Sequence, residues 1–143
     1  MGDLPPGSRT KIRSSQTAAQ LRRVMTVRRM KTYAGGQGYV YQYYFVGKRA
    51  VRAGEGDPAT EYIFDVTSDR KITFAVSVFL SEQALRRWSA NHGRTLTEAE
   101  QYGAVKMRLF QAFDEIEDLR SQGRQLGLDA ATLESVLGSL GIA

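Results

Sequence analysis

Polar and apolar residues alternate along the first half of this chain, then give way to a helical period in the second. Within residues 39–46 every position except Gln42 is aromatic or β-branched. That composition reads as a strand, because such side chains pack well on a pleated surface. The alternation puts Tyr39, Tyr41, Tyr43 and Phe45 on one face and Val40, Gln42, Tyr44 and Val46 on the other. Residues 61–66 repeat the pattern, with Tyr62, Phe64 and Val66 opposed to Glu61, Ile63 and Asp65. Residues 72–80 form the cleanest run, and Ile72, Phe74, Val76, Val78 and Leu80 are predicted to face inward.

Upstream, the period is mixed. Ala18, Leu21, Val24 and Met25 are spaced as on a helix, whereas Met25, Val27, Arg29, Lys31 and Tyr33 alternate. The spacing predicts a short helix to about Arg22 and a strand over 24–33. Gly35, Gly36 and Gly38 mark a hairpin turn before the aromatic run, and residues 53–58 and 67–71 read as further turns.

Three helices are predicted beyond residue 80. Ser81 caps the first, whose stripe is Ala84, Leu85 and Trp88 and whose stop is Gly93. Thr97 and Glu100 form a capping box for the second, with Tyr102, Val105, Leu109, Phe113 and Ile116 on one side and Phe110 alongside. Asp129 caps the third, which carries Leu133, Val136, Leu137 and Leu140. Strands followed by helices imply an α+β fold, a four-stranded antiparallel meander with three C-terminal helices packed on one face. The expected division is a flexible basic arm over 1–16, a single α+β domain over 17–122, and a glycine-punctuated linker with a short helix over 123–143.

Composition narrows the chemistry. There is no cysteine, which excludes disulfides, thiol nucleophiles and cysteine-ligated metal clusters. The longest largely apolar run, residues 74–80, is about a third of the ~20 residues a membrane helix needs. The first residues lack the basic and apolar segments of a signal peptide, so the expectation is a cytoplasmic protein with no membrane partner. Charge is unevenly spread. Residues 1–60 hold eleven Lys/Arg against three Asp/Glu, a local +8, while residues 61–143 hold nine against twelve, a local −3. That asymmetry fits either a polyanionic partner or a contact between oppositely charged strands.

If helices cover one face of the sheet, the aromatic run leaves rings uncovered on the other. The candidate binding surface is Tyr39, Tyr41, Tyr43 and Tyr44 with the cations Arg28, Arg29, Lys31, Lys48, Arg49 and Arg52. Tyrosines stack bases for about 1–3 kcal/mol each, and Lys and Arg follow phosphates. This predicts binding of single-stranded nucleic acid as one function. The other, ranked slightly above it, is a protein-interaction or self-association module, with Leu133, Val136, Leu137 and Leu140 as the candidate oligomer contact.

Nothing in the sequence points to catalysis, a metal or a cofactor. His92 is the only histidine and sits at a predicted helix end. Asp114, Glu115, Glu117 and Asp118 read as a solvated helix face. No phosphate-cradling glycine loop leads from a strand into a helix.

Overall fold

The alternating segments pair in the order in which they occur in the chain. The structure, a computed structural model, describes residues 30–36, 38–53 and 56–143. The predicted basic arm, the helix ending near Arg22 and most of the strand over 24–33 lie outside these residues. Within Lys31–Ala143, which forms one unit, the strands are β1 (Lys31–Ala34), β2 (Val40–Ala53), β3 (Asp57–Thr67), β4 (Phe74–Ser81) and β5 (Gln125–Leu128). The helices are α1 (Glu82–His92), α2 (Glu98–Glu115), α3 (Leu119–Gln122) and α4 (Ala130–Ser139).

The fold is mixed α+β, and its sheet departs from the expected meander at one edge. Strands β1 to β4 are antiparallel neighbours, and β5 adds to β4 in parallel, giving five strands in the order β1-β2-β3-β4-β5. The segment expected to be a linker is therefore part of the fold: Leu126 and Leu128 are buried on the sheet, and Leu133, Val136 and Leu137 of α4 are buried beneath the surface. A run of four residues containing Gly127 carries too little periodicity to announce a strand. Its pairing depends on β4, far back in the chain.

Helices α1 and α2 lie on one face of the sheet, and α4 packs against both of them. Between them sit Tyr62, Phe64, Val66, Val76, Val78 and Leu80 from the strands and Trp88, Leu109 and Phe113 from the helices. Burying such side chains contributes about 1.5–3 kcal/mol each, which is what drives the sheet against its helices.

The caps work as their chemistry demands. Ser81 and Asp129 accept from the free amides of Ala84 and Thr132, and Thr97 and Glu100 satisfy one another across the first turn of α2. Gly93 ends α1 with φ of 71°, a left-handed conformation in which a Cβ would be strained. Ile72 corrects the predicted inward set, because it is exposed. The Asp69 carboxylate accepts from the amides of Lys71 and Ile72 at 2.8 and 3.0 Å, which holds those residues in the turn until β4 begins at Phe74.

Candidate functional site: an aromatic groove flanked by lysines

A bulge in β2 helps to build an aromatic cleft between the sheet and a helix. The ladder with β3 pairs Phe45 with Phe64 and then Gly47 with Ile63, leaving Val46 as an extra residue. One inserted residue reverses which side chains face the core from that point onward. Lys48 therefore pairs with Tyr62 on the helix side of the sheet, and Arg49 pairs with Glu61 on the other. Simple alternation from Tyr39 assigns the opposite sides.

Helix α2 forms the second wall. Its capping box fixes where the helix starts, so Tyr102, Lys106 and Phe110 follow at four-residue intervals and align along one side. Phe45, Tyr62 and Tyr102 meet between sheet and helix, with ring centroids 5.2 to 6.3 Å apart. With Lys48, Glu98 and Ala99 they line a cavity of about 440 Å³, within the usual range for a small-ligand cleft.

A lysine stands at each end of this row of rings. The Lys48 Nζ lies 5.5 Å from the Tyr62 centroid. The Lys106 Nζ lies 6.0, 5.7 and 5.8 Å from the centroids of Tyr43, Tyr102 and Phe110, distances at which a cation is attracted by the ring faces. Burial, and secondarily the charge of Lys31, pulls the Lys106 ammonium below the ordinary lysine range. Burial also raises the Tyr62 and Tyr102 hydroxyls, with the Glu98 charge adding to the effect at Tyr62, so both rings are neutral across the physiological range. At the mouth, Lys48 Nζ and Glu98 Oε1 are 3.8 Å apart, with side chains 41% and 86% exposed.

The structure divides the sequence-derived binding surface. Tyr41 and Tyr43 are 3% and 4% exposed and belong to the core, packed against Phe113. They are not available as stacking platforms, because the face they share with Phe45 is the one the helices cover. Tyr44 points to the opposite face, where its hydroxyl donates to Asp65 at 2.8 Å. Tyr39 is exposed just before β2, lining a cavity of about 230 Å³ with Glu117 and Asp118.

Among the described cations of that set, Lys31 pairs with Tyr43 and Lys48 with Tyr62, on the helix side. Lys31, exposed on β1, is near enough to Lys106 for their charges to interact. Arg49 donates to Glu61 at 2.8 Å, and Arg52 to the Gly56 carbonyl at 2.9 Å. Arg28 and Arg29 lie outside the described residues. The proposed oligomer contact is corrected similarly: Leu133, Val136 and Leu137 are buried within this chain, and of the four only Leu140 is exposed. An amphipathic leucine stripe looks the same in sequence whether it packs on its own domain or on a partner.

Sequence reading passed over Phe45, Tyr62, Glu98, Tyr102 and Lys106 as site residues. Gly47, placed within an otherwise bulky strand, is the one local signal of the bulge that brings Lys48 to them.

Two further polar clusters serve the fold. His92 ends α1, stacks on Trp88 with centroids 4.2 Å apart, and places Nε2 2.6 and 2.8 Å from the two Glu134 oxygens. Asp114 accepts the Tyr33 hydroxyl at 3.1 and 2.9 Å and the Gly36 amide at 2.8 Å, joining the β1–β2 turn to the end of α2. Among the described residues no cluster of three or more His, Asp or Glu side chains is arranged to hold a metal ion, and no helix is long and apolar enough to cross a membrane. Comparison with protein-family models, with curated proteins and with solved structures found no match to this chain.

Proposed function

We propose that this chain is a non-catalytic cytoplasmic binding protein whose groove between β2 and α2 takes single-stranded nucleic acid. The observation that carries the reading is the pairing of Lys48 and Lys106 at the two ends of a partly open row of rings, Phe45, Tyr62 and Tyr102. Unpaired bases need aromatic faces and phosphates need cations, and proteins that bind single strands combine the two. The groove is mostly apolar inside and basic at its ends, with Lys31 adding a third positive charge. The finer choice among partners rests on that charge complementarity.

The measurement is fluorescence anisotropy with labelled oligothymidylate at two salt concentrations. Binding is expected in the micromolar range at low salt and weaker at high salt, as phosphate contacts release counterions. Lys48→Ala and Lys106→Met are expected to weaken it about five- to tenfold each and to flatten the salt dependence. Absence of binding at low salt, or binding unaffected by both substitutions, would overturn the reading.

A second reading is a protein partner or second copy docked on the sheet face opposite the helices. Val40 and Val46 favour it, being 50% and 39% exposed on β2, apolar side chains that a partner's surface would take out of water. Light scattering that returns a monomer across a wide concentration range removes the homo-oligomer.

A further inference from the structure

We infer that Glu98 is an internal competitor for the phosphate position of this groove, so that ligand binding exchanges one anion for another on Lys48. The inference rests on the nucleic-acid reading above and deepens it by naming what the cavity accepts: a single unstacked nucleotide, base inward and phosphate at the mouth.

The cavity of about 440 Å³ has aromatic walls from Phe45, Tyr62 and Tyr102 and a cation at its opening. That volume suits one nucleotide-sized group and is too small for a stacked run of bases. The Lys48 ammonium is the one cation among its lining residues, and the Glu98 carboxylate faces it at 3.8 Å. Glu98 occupies that position without being built into the fold. Its side chain is 86% exposed, and Lys48 is its ion-pair partner among the described residues. The capping work at this helix start falls to Thr97 and Glu100 instead. An exposed pair of this kind is weak, and a strand phosphodiester matches the single negative charge of the carboxylate while its base adds contact with the rings. A nucleotide phosphate can therefore displace Glu98, whose side chain swings into water while the base enters against Phe45 and Tyr102.

Three consequences separate this from a general charge effect. Removing the Glu98 charge frees Lys48 in the unliganded protein, so Glu98→Gln is expected to bind labelled oligothymidylate about threefold or more tightly at low salt. Glu115→Gln, which removes an exposed acid from the opposite end of α2, is expected to change affinity by less than about twofold, its charge being distant and screened. With Lys48 already replaced by Gln, the gain from Glu98→Gln is expected to fall to that of Glu115→Gln.

A thymidine monophosphate competitor distinguishes a free nucleotide from a residue within a strand. Displacement of the labelled oligonucleotide by the mononucleotide is expected, at higher concentration. If the wild-type protein binds and Glu98→Gln binds no more tightly than Glu115→Gln, the competitor role is wrong while the groove reading stands. If neither wild type nor Glu98→Gln binds, the groove reading fails and this inference fails with it.

Discussion

The rings of Tyr41 and Phe113 lie nearly parallel, 4.3 Å between centroids and 9° apart, joining the second strand to the last turns of the longest helix. Tyr33, Tyr43 and Phe110 gather around the same place. The aromatic strand is thus chiefly a core element, and its groove-lining role is confined to the part beyond Tyr43.

Phe113→Ala removes the centre of this cluster. It is expected to lower the unfolding free energy by about 3–5 kcal/mol, as for other buried aromatic truncations. Tyr39→Ala, just before that strand and exposed, is expected to cost about 1 kcal/mol or less. Urea denaturation of the two variants checks the contrast, and similar losses would contradict the packing described.

Asp114 gathers the Tyr33 hydroxyl and the Gly36 amide. Asp114→Ala leaves both donors without this acceptor, and the expected loss is about 1–3 kcal/mol. Hydrogen exchange at the Gly36 amide is expected to accelerate more than exchange in α1. Unchanged protection at Gly36 would show that the turn is held by something else.

Gly35 packs against the helix without room for a side chain. A Cβ there would fall 2.8 Å from the Phe113 carbonyl oxygen, a backbone atom that cannot step aside alone. Gly35→Ala is expected to cost about 1–3 kcal/mol, typical of overpacking. Gly127→Ala meets nothing within 4 Å and is expected to be near neutral. Thermal melts of the two variants give the comparison.

Glu100 makes a pH prediction. The Arg94 guanidinium first, and the Thr97 amide second, lower its carboxyl from 4.5 to about 2. Because the folded-state pKa is depressed, the stabilisation is fully present above pH 4.5 and is lost as pH falls towards 2. Glu61 acts in the same direction, its carboxyl lowered by the Ser77 hydroxyl and then Arg49 against the opposing effect of burial. Melting temperature is therefore expected to drop between about pH 4.5 and 2, and to drop less in Glu100→Gln. An equal fall in that variant would assign the acid sensitivity elsewhere.

Legibility in the sequence followed the range of the interactions involved. Caps at Ser81, Thr97 and Asp129 depend on atoms three residues away, so spacing reveals them. Strand faces in β3 and β4 follow from strict alternation. Which face the helices cover is a tertiary choice, and it reversed the role expected of Tyr41 and Tyr43. The groove depended on a one-residue bulge at Val46, on Lys48 changing sides, and on a helix some fifty residues later in the chain. The Asp114 anchor spans 78 residues to Gly36, beyond any local pattern.

The parallel pairing of β5 with β4 has a temporal consequence. Residues 125–128 complete the sheet only after α1, α2 and α3 have been synthesised, so a nascent chain emerging from the ribosome carries β4 with one side unzipped until that last strand has been made. Such an unpaired margin is where edge-to-edge sticking begins, and ribosome-stalled chains ending before Gln125 are the species in which to look for it.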